Sequence, residues 1–434
     1  MKFLVSQYSK IKKVVHSQPW SAPFLGALFL DSFGSGLTTP FLVLFFLKTS
    51  GLSLEQVGQM ISISALAGLL SIPVCGVIVD RLGAKPAALA SFWLRGIGTL
   101  GYLIFHNIWG LTIAATIVVW GQRAWPVVNQ TIISQLVSSE NRTMWFGSSR
   151  SLRNLGNSLG MLIGTGIIAI FNTPFAYETL IFIDAFSFLI AAVLIAKIPL
   201  RNQSIIKKEP ISKKVWAIRF SYDSNLMRFL VAVAPMTFMY VVLVFAIPAF
   251  IKEISPDLSW ISGLLFTVNS LSVIVLQVPL LFFTNRLNDL QKIIVGSVVL
   301  GLSYIIFLGS TFLASAHLNF FVPLLFVGIL LFSCGEQLFY PASATIVGEI
   351  GSAEKRGKSI SSYQLLYGIS NAIGPFIVGC LLTRNIYLFW LFFVVLAFVG
   401  VFLQCMLLPN IIEQSRSRES TILIGIKNAK NNET

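Results

Sequence analysis

Charge is what this chain lacks most. Only 11% of its 434 residues are Asp, Glu, Lys or Arg, while 55% are hydrophobic and the mean hydropathy is +0.81. A soluble protein of this length could not cover that much apolar surface, so the expected solvent is a bilayer. Acids are scarcer than bases, 17 against 31. The net charge of +14 would suit nucleic acid if the bases shared one polar face, but they sit in short connectors between apolar runs, so no nucleic-acid partner is expected. Histidine is nearly missing. His16, His106 and His317 are far apart and near run ends, which suggests neither a metal cluster nor a catalytic triad; no enzyme activity and no cofactor are expected. The four cysteines, Cys75, Cys334, Cys380 and Cys405, fall in apolar stretches without metal spacing and are taken as small packing residues.

What is abundant is long apolar sequence. A membrane helix needs about 20 mostly apolar residues, and twelve such runs are predicted, near 21–47, 54–79, 87–106, 109–136, 145–171, 178–197, 227–251, 259–284, 290–314, 318–348, 360–383 and 387–408. The first run is too long for the apolar part of a cleavable signal and is expected to stay attached. Lys and Arg crowd into every second connector, beginning with Lys10, Lys12 and Lys13 and continuing through Arg81, Lys85, Arg142, the stretch 198–226, Arg286, Lys292, Lys355 and Arg356 to Arg416 and Arg418. Such a bias places those connectors and both termini in the cytoplasm.

The long polar stretch divides the runs six and six. Residues 1–197 form the N-terminal half, 198–226 a cytoplasmic linker, 227–408 the C-terminal half and 409–434 a cytoplasmic polar tail. A shift of about 214 residues aligns "GQRAW…TIISQLVSSENRT" with "GEQLF…TIVGEIGSAEKRG", so that Gly121 meets Gly335, Arg142 meets Arg356 and Gly160 meets Gly374. Two related six-helix halves are the construction of a rocking transporter, with its site near mid-membrane.

Residues 76–86, "GVIVDRLGAKP", carry the resemblance to a known family. Gly76, Asp80, Arg81, Gly83 and Lys85 are similar to the signature of the major facilitator superfamily in the loop between spans two and three. The resemblance implies an all-α integral membrane protein of twelve transmembrane helices, arranged as two pseudo-symmetric six-helix bundles around a central cavity, working by alternating access as a monomer. It also implies that Asp80 helps to latch the cytoplasmic side. Physically, a glycine at 83 permits a tight turn, and Asp80 stands where a helix N-terminus or Arg81 can bond it.

Mid-membrane charge is costly and therefore a functional signal. Asp31 is about ten residues into the first run, roughly 15 Å at about 1.5 Å per residue; Arg123 and Glu336 are similarly deep in the fourth and tenth. In the superfamily, spans one, four, seven and ten line the cavity, so all three are candidates for proton coupling or substrate binding. Asp31 is expected to pair with Arg123, because a buried charge alone is more expensive than a bonded pair. Arg95 is expected to reach the cytoplasmic face by snorkelling, and Asp184 to bond a neighbouring helix.

Gly156, Gly160 and Gly164 make a close-packing ladder in span five, and Gly374-Pro375 supplies a Gly-Pro step in span eleven. Resemblance to drug exporters, together with Phe33, Phe41, Trp120, Trp125, Phe238, Tyr240, Phe332, Phe339, Tyr340, Met236 and Met239 on the candidate cavity spans, suggests proton-coupled export of small amphipathic or drug-like compounds across the plasma membrane, the inner membrane of a bacterium. Uptake symport of a small nutrient and export of a metabolite or siderophore are the alternatives.

Overall fold

The structure is a computed structural model that describes residues 19–138, 141–199, 224–314, 318–350 and 356–431, with most of their side chains as far as residue 409. Most of the linker and of the polar tail's side chains therefore lie outside the described residues. Every regular element among them is helical, as a bilayer demands, since backbone groups that meet no water must pair within their own segment.

The helices are α1 (Ser21–Thr38) and α2 (Leu42–Thr49), joined by a 3₁₀ turn at Thr39–Phe41, then α3 (Leu54–Leu69), α4 (Ser71–Leu82), α5 (Ala84–Ile104), α6 (Ile108–Leu136), α7 (Arg142–Phe171) and α8 (Pro174–Ala196). After the linker come α9 (Ser224–Ile254), α10 (Ile261–Phe283), α11 (Asp289–Ala314), α12 (Leu318–Glu349), α13 (Arg356–Arg384) and α14 (Ile386–Asn431). Eleven stretches among the described residues are long and apolar enough to cross a membrane. The expected second span is absent from these because it breaks at Leu70 into α3 and α4. Ser71 donates its hydroxyl to the Gly68 carbonyl at 2.7 Å, and the proline at 73 has no N–H to offer the preceding turn.

Helix starts follow local chemistry. Ser53 and Gln56 close a reciprocal capping box on α3. Asn107 accepts from the Gly110 N–H, and Thr173 with Pro174 opens α8. Arg142 donates to the Val137 and Ser134 carbonyls, closing the C-terminal end of α6.

The chain forms two compact units. One comprises Met1–Ile218, Val244–Thr267 and Pro375–Cys380; the other comprises Arg219–Leu243, Val268–Gly374 and Leu381–Thr434. In the first, Trp20, Phe24 and Trp145 bury together, with Trp20 and Trp145 ring centroids 4.7 Å apart. The glycine ladder lies on α1: a Cβ added at Gly156 would stand 2.9 Å from the Phe29 carbonyl oxygen, and one at Gly164 2.8 Å from that of Leu37, with Gly160 held against Phe33 between them. Pro375 passes its carbonyl over Gly58 of α3, and Gly374 is buried beside it. In the second unit Tyr304, Phe307, Trp390 and Phe393 stack between α11 and α14, and Tyr304 donates to the Met239 carbonyl at 2.6 Å.

The two aligned glycines do the same job. Gly121 sets α6 against Ser91 and Arg95 of α5, and Gly335 sets α12 against Gly296 and Leu300 of α11. Each lets a fourth span of its half approach the third at backbone distance. Large apolar side chains such as Ile170, Phe175, Phe283 and Phe398 remain exposed, as befits surfaces that face lipid.

Candidate functional site

One face of α1 carries Asp31, Gly34, Ser35 and Thr38, spaced so that they stack along a single stripe. That stripe meets α5 and α8. Arg95 of α5 is buried, donates from Nη1 to Asp31 Oδ1, and reaches Ser35 Oγ from Nη2 at 3.1 Å. Its guanidinium lies 4.0 Å from the Phe188 ring centroid on α8, a cation–π contact in a desolvated place. The partner of Asp31 is thus Arg95, and two expectations are corrected. Arg123 forms no ion pair with any described acid and is half-buried on α6. Arg95 does not snorkel, because its guanidinium is held inside the protein by Asp31, Ser35 and the Phe188 ring. Arg153 of α7 adds a further positive field at Asp31.

Asp184 of α8 accepts a 2.8 Å hydrogen bond from Thr38, the inter-helix bond expected for it. Its other oxygen, Oδ1, is buried without a hydrogen-bond partner among the described residues, as is Arg95 Nε. Gly34 makes this contact possible: a Cβ there would stand 2.7 Å from Asp184 Oδ1 and 2.8 Å from Ser187 Cβ. Asp31, Arg95 and Asp184 therefore form one buried polar group among α1, α5 and α8, and electrostatics couples all three.

Glu336 sits in the second unit, near the middle of α12. Asn269 of α10 donates to Ser333 Oγ at 2.8 Å and to Glu336 Oε2 at 3.4 Å, and Tyr240 of α9 stands close to the same carboxylate. Tyr240 stacks on Phe332 with centroids 6.1 Å apart and planes 7° from parallel. Tyr367 of α13, unnoticed in the sequence, meets Tyr240 and Tyr340 edge-on at 6.1 and 5.8 Å. The missed signal is a tyrosine at i+4 from Tyr363, on the same face of its helix.

Other aromatic and Met candidates belong to packing. Phe41, Trp125, Phe339, Met236 and Met239 are buried, and Trp125 rests on Phe92 at 4.6 Å. Trp120 is tied to the Ala67 carbonyl, Phe238 stacks on Phe393, and Phe33 on Phe29.

At the expected latch, Gly83 joins α4 to α5 with φ +92° and ψ 168°, a region open essentially to glycine. Lys85 donates to the Ile198 carbonyl at 2.8 Å, holding the exit of α8, and Arg81 is exposed. Gly76 and Asp80 lie on α4, but their surroundings fall outside the described residues. The described residues contain no group of three or more His, Cys, Asp or Glu that could hold a metal ion.

Membrane-length helices with buried acids at mid-span are the architecture of a membrane transporter. Residues 24–335 and 299–422 match the Major Facilitator Superfamily. The chain belongs to that superfamily, and its activity is secondary transport. It is 21% identical over 390 residues to YqjV, an MFS-type transporter of Bacillus subtilis, covering 87% of this chain and 90% of the relative. Over 202 residues it is 27% identical to the class E tetracycline resistance protein of Escherichia coli, covering 44% and 48% of the two chains. The fold is similar to that of the nucleoside transporter NupG, with a TM-score of 0.77 at 12% identity, covering 90% of this chain and 99% of that one.

Proposed function

We propose that the protein is a proton-coupled exporter of small amphipathic or drug-like compounds, acting as a monomer in the plasma membrane, a bacterial inner membrane, with both termini in the cytoplasm. The observation that carries this reading is the setting of Glu336: a mid-span carboxylate wrapped by Tyr240, Tyr340 and Phe332, with no described cation as partner. Aromatic walls favour an apolar or ring-bearing cargo over a sugar, which needs many donors. A carboxylate within them can exchange a proton for cargo. The distant tetracycline resistance relative points the same way.

The Asp31–Arg95 pair is the second element. Protonation of Asp31 removes the charge that holds Arg95, and such a pair has two stable arrangements, the property a coupled transporter requires. Residues 1–197 and 227–408 are the halves that alternate, joined by 198–226. Asp80 and Arg81 latch the cytoplasmic side, with Gly83 and Lys85 shaping the connector. Arg123, half-buried and unpaired with any described acid, is free to donate hydrogen bonds to an acceptor group of the cargo.

The test is substrate-induced proton movement in inverted membrane vesicles. Addition of a transported amphipath to vesicles holding an acid interior should discharge the gradient. No discharge with any amphipathic compound, but further acidification of the interior on addition of a small polar nutrient, which a symporter carries inward together with a proton, would favour uptake symport instead.

A further inference from the structure

Phe332, Glu336 and Tyr340 follow one another at intervals of four along α12, so they form one stripe with the acid between two rings. Tyr240 comes from α9 to stack on the first ring, close beside the acid. Tyr367 comes from α13 and stands edge-on to Tyr240 and Tyr340, and its hydroxyl lies 3.3 Å from that of Tyr363. Asn269 closes the group from α10. Four helices of one unit thus surround a single carboxylate with aromatic faces.

Accessibility distinguishes this group from the aromatic core of the same unit. Tyr304, Phe307 and Trp390 are fully buried, whereas Tyr240, Glu336, Tyr367 and Asn269 are partly accessible and Tyr340 is 40% exposed. The charge is also left open. The basic residues of the unit whose side chains are described, Arg228, Arg286, Lys292 and Arg384, stand at or near helix ends, and among the described residues none pairs with Glu336. A carboxylate placed at mid-span calls for a cation from outside the fold.

We propose that Glu336, Tyr240, Tyr340 and Tyr367 form a binding site for a monovalent organic cation, a protonated or quaternary amine or phosphonium carrying aromatic or aliphatic bulk. The carboxylate supplies the charge, and the ring faces supply cation–π attraction together with apolar contact, which an inorganic cation with its hydration shell cannot use. Asn269 positions the carboxylate and leaves its second oxygen open. This rests on the proposed export of amphipathic compounds and narrows it to cations.

The experiment measures binding of tetraphenylphosphonium and of the neutral triphenylphosphine oxide to the purified full-length protein in nanodiscs, without a proton gradient. The wild type should bind the cation at least about tenfold more tightly than the neutral compound. Glu336→Gln should erase that preference by weakening cation binding; Tyr367→Leu should weaken cation binding severalfold, and Tyr367→Phe should restore it. Equal affinity of the wild type for both compounds, or undiminished cation binding by a folded Glu336→Gln, would overturn the proposal. Should Glu336→Gln not fold, the wild-type preference and the Tyr367 pair decide. Equal affinities alongside vesicle discharge by neutral amphipaths would sink only the cation site. A cation preference without any proton movement would sink only the export reading.

Discussion

Arg95 of α5 holds Asp31 of α1, and the same guanidinium lies over the ring of Phe188 on α8. The pair is almost fully shielded, with both side chains 7% exposed. Removing one member leaves the other charge uncompensated, at a cost of about 3–5 kcal/mol. Arg95→Ala and Asp31→Asn should each destabilise the protein in SDS-driven unfolding. The double variant Asp31→Asn/Arg95→Gln should lose clearly less than the sum of its parts. Additive losses would show that the two residues are not coupled.

Arg123 provides the contrast. It has no ion pair with a described acid and is only half-buried, so Arg123→Ala should shift the unfolding free energy by less than about 1 kcal/mol. An effect as large as that of Arg95→Ala would return Arg123 to the role of structural partner. Its contribution should instead be read in transport, as a change in cargo affinity.

Thr38 is the one hydrogen-bond donor seen on the Asp184 carboxylate among the described residues. Thr38→Val keeps the shape and removes the donor, which should cost about 1–3 kcal/mol. Thr38→Ser should retain most of the stability. The unfolding curves of the two variants, compared with wild type, check this directly.

Gly83 has a backbone conformation that side-chain-bearing residues avoid. Gly83→Ala should therefore cost about 1–3 kcal/mol and slow turnover by misplacing the start of α5. Asp80→Asn, by contrast, should impair turnover while leaving cargo binding and stability near wild type. Equal turnover in Asp80→Asn vesicles would remove the latch from the account.

Spans were legible because apolar length is a local property, and hydropathy alone placed eleven of them close to the observed helices. The broken span at Leu70 was not, because a serine hydroxyl and a proline decide it rather than hydropathy. Pairing failed for a different reason. Depth along a helix put Asp31 and Arg123 at the same level, but rotation about the helix axis decides which neighbours meet. The cue for Arg95 lay in its own helix, where Ala84, Ala87, Ala88, Ser91, Gly98 and Thr99 mark a small-residue face with Arg95 in its middle. The Asp184 bond was legible because a mid-span acid must find a donor. Tyr367 was not, since a tyrosine becomes a site residue only through what other helices bring to it.

Proton movement in inverted vesicles tests the central claim most directly. Vesicles carrying the wild type, acidified inside and followed with a pH-sensitive dye, should lose part of their gradient when an amphipathic cargo is added. Asp31→Asn vesicles, with cargo binding retained, should show no such loss. A gradient-driven discharge by Asp31→Asn equal to that of the wild type would contradict the assignment of proton coupling to the Asp31–Arg95 pair.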